Sequence, residues 1–354
     1  MAIQKQDAKD SDTDSLAANN SARNTETPSP MPMPIPTTTA APTTTSTTST
    51  GAGATKPESS HSGTGKQRPR LRPRLDYITL EGLFPLPPSQ SQWQSATDSS
   101  GPSPSPSPLW YILTTAVLLA FHKEKLIGDL WTYLARPRRG ESHDDDDDDD
   151  DDIEAEEEEE SLMVIARRIR EACLKASTLV GFPRAINALF ALSSAIEATH
   201  PGLASILAHD TSLRAPLRPA EKYDRGMSFF AQIYQQHTAR VLTAMDATSG
   251  GDLTHFAISC IYGELLSEQT IVGAVDTGLL EFVCCLADGC GPQAKGHFFG
   301  SINLGATDAT LRAAVQLTEL LAQQLQVGCA WKADENAEAD DFRFLERVMQ
   351  SDSA

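Results

Sequence analysis

From Ser161 to Gln326 the apolar residues recur three and four apart, and no run alternates with period two for long enough to make a strand. That periodicity restricts this part of the chain to helices, so the predicted fold class is all-α. Leu162 to Leu179 sets Ile165, Ile169, Ala172, Cys173 and Ala176 on one face, with Arg167, Arg168, Arg170 and Lys175 mostly elsewhere. Gly181-Phe182-Pro183 breaks that helix, and Pro183 starts the next one, over Arg184 to Ala198. His200-Pro201-Gly202 reads as a turn, and Tyr223 to Met245 as one long helix. Leu253 to Leu266 reads as an amphipathic helix with Asp252 as its N-cap. Ile271 to Ala287 and the helix opened by Pro292 form a pair, with Gly291 suited to the helix end between them. Ala309 to Gln326, capped by Thr307 or Asp308, closes the core, and Asp341 to Met349 reads as a short helix.

Composition divides the remainder. Residues 1–74 are rich in Thr, Ser, Pro, Asn and Ala, bury too little apolar surface to offset chain entropy, and read as a disordered low-complexity tail. Its end, KQRPRLRPR at 66–74, carries five positive charges among prolines and reads as an extended linker or as a motif for import or an acidic partner. Residues 75–140 hold a docking segment, LDYITLEGLFPLP, a Ser/Pro linker, and a helical hairpin made of Leu109 to Phe121 and a second helix ending before Pro137. Residues 141–160 contain nine Asp and seven Glu and read as a solvated, disordered acidic insert. This tract carries 16 of the 19 net negative charges, so the overall charge describes one loop and implies no basic partner. Residues 161–328 are the helical core, and 329–354 a loose acidic tail with the short helix.

Several function classes are excluded. The longest apolar run, Leu109 to Phe121, is too short to span a bilayer, and nothing points to nucleic acid. The run of nine Asp lacks the Gly turn and ligand spacing of a calcium loop. No Cys/His spacing fits zinc, no glycine-rich phosphate loop follows a strand, and no Gly-x-Ser-x-Gly elbow occurs, so neither metal nor cofactor is expected. Six cysteines without regular spacing, an N-terminus with no apolar h-region and a C-terminal Ser-Asp-Ser-Ala predict an intracellular, reducing compartment, cytoplasm or organelle matrix.

The candidate chemistry lies in 281–307, EFVCCLADGCGPQAKGHFFGSINLGAT, which holds Glu281, His297 and three of the six cysteines. Glu281, in an apolar helix, is either a proton relay or the ion-pair partner of an arginine such as Arg184. His297 is either an acid/base group or a structural histidine bonded to a neighbouring helix. Cys290 is either a redox centre or a small, semi-buried thiol, whereas Cys284 and Cys285 sit among Phe282, Val283 and Leu286 and read as core. Arg184 and Arg225 are candidate clamps for a substrate carboxylate, and Tyr262 is a candidate substrate contact. Tyr234 reads as a core residue with a bonded hydroxyl.

Glu281, His297, Gly300 and Asn303-Leu304-Gly305-Ala306-Thr307 resemble the signature of the carboxymuconolactone decarboxylase and alkylhydroperoxidase D-like superfamily. That signature has a carboxylate on one helix and H-x-x-x-A-x-x-x-G-A-T on the next, and here Ser301 takes the place of its Ala. Lys175 with Gly181-Phe182-Pro183-Arg184, Arg225-Gly226 before a helix with Tyr234, and Tyr262-Gly263 resemble a fungal branch. The resemblance spans about Leu109 to Val327 and implies an alkylhydroperoxidase D-like helical bundle that assembles as a homo-oligomer. Its peroxidase branch uses C-x-x-C-x-x-x-H, in which a helix N-terminus activates one thiol and a second resolves it. Here the register is Cys290 to His297 with Gln293 at the resolving position, and Glu281 lies nine residues before Cys290, about one turn closer than that pattern has it. The decarboxylase branch needs no thiols, and there the residue matching His297 moves a proton as a lactone acid loses CO₂. The resemblance thus implies an enzyme acting on a small organic acid, lactone or peroxide, with His297 and Glu281 as acid/base pair and Cys290 as a candidate redox thiol. The alternative is a non-catalytic scaffold or oligomeric binding protein that retains the fold.

Overall fold

The computed structural model describes residues 75–84, 109–136, 151–210, 216–332 and 337–349. The tail, the basic segment, the Ser/Pro linker and the run 137–150 lie outside the described residues. The described chain is all-α, with no strand. Its helices are α1 (Tyr77–Gly82), α2 (Trp110–Ala120), α3 (Ile127–Leu134), α4 (Asp151–Val180), α5 (Phe182–Thr199), α6 (Pro201–His209), α7 (Pro219–Tyr234), α8 (Thr238–Ser249), α9 (Asp252–His255), α10 (Ala274–Ala287), α11 (Gly291–Leu304), α12 (Asp308–Leu325) and α13 (Glu346–Met349). A π-helix, Phe256–Leu266, continues α9, and short 3₁₀ turns fill several joints.

Two helices form the centre. Every residue of α2 is buried, as is every residue of α10 from Thr277 to Leu286. They pack on each other and on α4 and α12, which explains why their sequences are apolar all round rather than along one stripe. Each fully buried Leu, Ile or Phe contributes roughly 1.5–3 kcal/mol. No helix among the described residues is long and apolar enough to cross a membrane. Leu75, Tyr77 and Leu80 of the first segment are buried in this main core, and the Asp76 amide donates to Gln324 Oε1 of α12 at 2.8 Å.

A second, smaller core holds Phe229, Phe230 and Ile233 of α7 with Ala257, Ile258, Tyr262 and Leu266 of the π-helix. Its buried positions on the π-helix, Ala257, Ile258, Tyr262, Gly263 and Leu266, recur four and five apart. The two helices nearly touch, since a Cβ on Gly226 would collide with the carbonyl oxygen of Ile258. An ion pair from Lys222 to Glu264 runs along the same contact.

Several local expectations are corrected. The second half of the acidic tract is helix, since α4 begins at Asp151. Pro201 opens α6 instead of lying in a turn. The long helix expected over Tyr223 to Met245 starts at Pro219 and breaks after Tyr234, where Gln235 adopts φ 43°. Gly251 rather than Asp252 is the N-cap of α9, and from Phe256 onward the chain is π-wound. The helix expected from Ile271 begins at Ala274. The left-handed residue between α10 and α11 is Gly289, with φ 77°, while Gly291 is already helical. In the tail, 3₁₀ turns cover Ala330–Lys332 and Ala337–Leu345.

Candidate functional site

Helix α11 turns Ala294, His297, Phe298 and Ser301 inward, three and four apart, so His297 occupies a core-facing position. Opposite lies Glu281 in the buried middle of α10. Nδ1 of His297 stands 3.5 Å from Oε2 of Glu281, with the two side chains 8% and 0% exposed. The distance is that of an ion pair but too long for a good hydrogen bond. Accordingly neither Glu281 oxygen, nor His297 Nδ1, has a hydrogen-bond partner among the described residues. A buried carboxyl group without a hydrogen bond costs free energy.

The second core supplies the rest of the site. The Tyr234 ring lies 6.4 Å from that of His297, centroid to centroid. Phe230 packs against its ring and against that of Tyr262 on the π-helix, which brings the two phenols to the same side of the small core. Burial, and then the Glu281 carboxylate, pushes the Tyr234 phenol up to about 12 and the Tyr262 phenol well above its ordinary range. Both therefore remain neutral hydroxyls. Cys285, one turn along α10 from Glu281, is pushed up by burial and by the same carboxylate, so it is an inert thiol.

Lys175 holds the two halves in register. Read from the sequence as lying mostly off the apolar face of α4, it is fully buried. Its ammonium donates to the carbonyls of Leu266 at 3.2 Å, Glu268 at 2.6 Å and Val272 at 3.2 Å, and to Thr277 Oγ1 at 2.7 Å. It thereby fixes the end of the π-helix to the start of α10, hence Tyr262 to Glu281.

Three expected site residues lie elsewhere. Arg184 pairs with Asp288, at 3.5 Å, and not with Glu281, which is seven residues and about 10 Å up α10. Arg225 is spent on Ser267 Oγ at 2.8 Å and Glu268 Oε2 at 3.3 Å, where it ties α7 to the end of the π-helix. Cys290, the exposed N-cap of α11, lies 3.6 Å from Asp288 Oδ2, and burial together with that carboxylate raises its thiol. Glu281, His297 and Tyr262 do meet, joined by Tyr234. Among the described residues no group of three His, Cys, Asp or Glu side chains is placed to hold a metal ion.

The chain is 31% identical over 167 residues to Peroxisomal protein 2 of Schizosaccharomyces pombe, a match covering 47% of this chain and 73% of the relative. The chain belongs to the Peroxisomal protein 2 family. Peroxisomal protein 2 of Saccharomyces cerevisiae is 26% identical over 186 residues, covering 48% of this chain and 65% of that protein. No family model matches the chain, and no solved structure matches it. In this member of the Peroxisomal protein 2 family, a buried imidazole–carboxylate pair faces two neutral phenols at a seam between two cores. Such a set moves protons and donates hydrogen bonds to oxygen, and it contains no reactive thiol.

Proposed function

We propose that the Glu281–His297 pair performs proton transfer on a small organic acid or lactone, as a decarboxylase-like lyase. The observation that carries this is the buried Glu281 carboxyl group, without a hydrogen-bond partner among the described residues and 3.5 Å from His297. When the carbon–carbon bond to the leaving carboxylate breaks, its electron pair stays on the substrate carbon and CO₂ departs. His297 then delivers a proton to that carbon or to its conjugated oxygen. Glu281 orients the ring and offsets the imidazolium charge whenever the proton is on it. The hydroxyls of Tyr234 and Tyr262 are donors for a substrate oxygen. The peroxidase reading has less support, since Gln293 stands where a resolving thiol is needed and the raised Cys290 thiol is a poor nucleophile. Both relatives are named peroxisomal, which supports a peroxisomal location for this chain as well.

A second reading, an oligomeric binding protein, is favoured by one observation. Phe182, Ile186 and Phe190, four apart on α5, are 66%, 49% and 69% exposed, an apolar stripe of the kind that helix pairing covers. One experiment separates the readings. Purified protein is offered carboxylated lactones, β-keto acids and organic hydroperoxides, and its mass in solution is measured alongside. CO₂ release that falls roughly a hundredfold in His297→Ala and in Glu281→Gln is the expected result. No turnover of any acid or lactone would sink the lyase, and a multimeric mass would then leave the binding protein.

A further inference from the structure

A pocket separate from this seam opens between α4, α5 and α6, with a volume of about 320 Å³. Leu174, Leu189, Leu192, Ile196, Ala204 and Leu207 supply most of its wall, and none of its lining residues is acidic. Its polar groups are Ser193 and Arg170. Arg170 donates through Nη1 to the Leu207 carbonyl at 3.2 Å and through Nη2 to Asp210 Oδ2 at 2.9 Å. Arg167 places Nε 2.9 Å from the same Asp210 oxygen. Two guanidinium groups thus meet at one carboxylate, whose side chain is only 5% exposed, at this end of an apolar pocket. Arg170 keeps its Nε hydrogen and one Nη1 hydrogen for a further acceptor. The exposed Glu159 and Glu160 lie further up α4, Glu160 about 15 Å from Arg170 along the helix and beyond the ~8–10 Å screening length, whereas Glu171, next to Arg170, is buried and does not line the pocket.

We propose that the α4–α5–α6 pocket binds an anionic amphiphile, a straight-chain alkyl carboxylate, with its chain among Leu189, Leu192 and Ile196 and its carboxylate at Arg170. The walls provide burial without direction, and the unused Nε and Nη1 hydrogens of Arg170 select an anionic head group. A volume at the small end of the ligand-pocket range favours chains of medium length. The site shares no residue with the Glu281–His297 pair and stands or falls independently of it.

The test uses the full chain and decanoate below its micelle concentration, with decanol and decyltrimethylammonium as matched controls. Calorimetry should show saturable binding of decanoate about tenfold tighter than of the cationic analogue. Hydrogen exchange should slow on α5 around Leu189 to Ile196 and on α6 around Ala204 to Ala208. Arg167→Gln, which removes one of the two guanidinium charges at Asp210 from a half-exposed position, should weaken decanoate severalfold and leave decanol unchanged. Ser193→Trp, which fills the rim, should abolish binding of both. If that variant does not fold, the exchange footprint on the wild type decides. Equal binding of the two charged probes, protection confined to other helices, or no binding would overturn the proposal.

Discussion

Tyr234 and Tyr262 show how much of the site depends on single groups kept neutral. In an unfolded chain their phenols ionise near 10.0, whereas in the fold Tyr234 is pushed up to about 12 and Tyr262 further. A folded value above the unfolded one means stability that is complete below pH 10 and is lost as pH rises toward 12. Alkaline titration should therefore show these two tyrosinates appearing together with loss of the helical circular dichroism signal. Tyr234→Phe should move the alkaline midpoint upward. Ionisation of all six tyrosines with the helices intact would contradict this account. The same residues show where sequence is insufficient. Tyr262 is legible as a site residue because it shares a segment with Gly263, but Tyr234 is an aromatic on an apolar face until Gln235 ends the helix beside it. No Gly or Pro announces that break. Its φ of 43° lies in the left-handed region that non-glycine residues rarely adopt.

At the scale of the element, the π-helix and its tether matter most. Lys175 reaches four acceptors on the segment that joins the π-helix to α10. Lys175→Met keeps the stem but strips those buried acceptors of their donor. Urea unfolding should show a loss on the order of 3 kcal/mol or more. A loss under about 1 kcal/mol would mean that the carbonyls find other donors. Helix type is legible through most of the chain, since amphipathic spacing and the Pro starts at Pro183 and Pro292 identify α5 and α11. The π winding is not, because apolar positions four and five apart in Phe256–Leu266 also fit an ordinary helix. Lys175 escapes sequence reading for a related reason. A long charged side chain on a mostly polar face reads as solvated, and only the fold brings three carbonyls to it. Arg184 and Arg225 read as substrate clamps on residue type alone, yet Asp288 and Glu268 already take their charge.

At the largest scale the described residues join a large core to a small one, and the candidate site lies on the seam. Two contacts close that seam beside His297. Gly300 of α11 admits Ile233 of α7, since a Cβ there would stand 2.6 Å from Ile233 Cγ2. One turn on, Asn303 Nδ2 donates to the Ile233 carbonyl at 2.7 Å. The main core does not depend on either contact, because α2, α4, α10 and α12 enclose one another. The small core does, having few buried residues of its own and no buried position on α8. Asn303→Ala should therefore cost about 1 kcal/mol locally, and hydrogen exchange should rise across α7, α8 and the π-helix while α2 and α10 keep their protection. If the pair at Glu281 and His297 needs Tyr234 to position substrate, turnover should fall in this variant chiefly through KM, with global unfolding little changed. Uniform loss of protection in both cores would instead mean that the molecule unfolds as one unit, and that the seam is not where it opens.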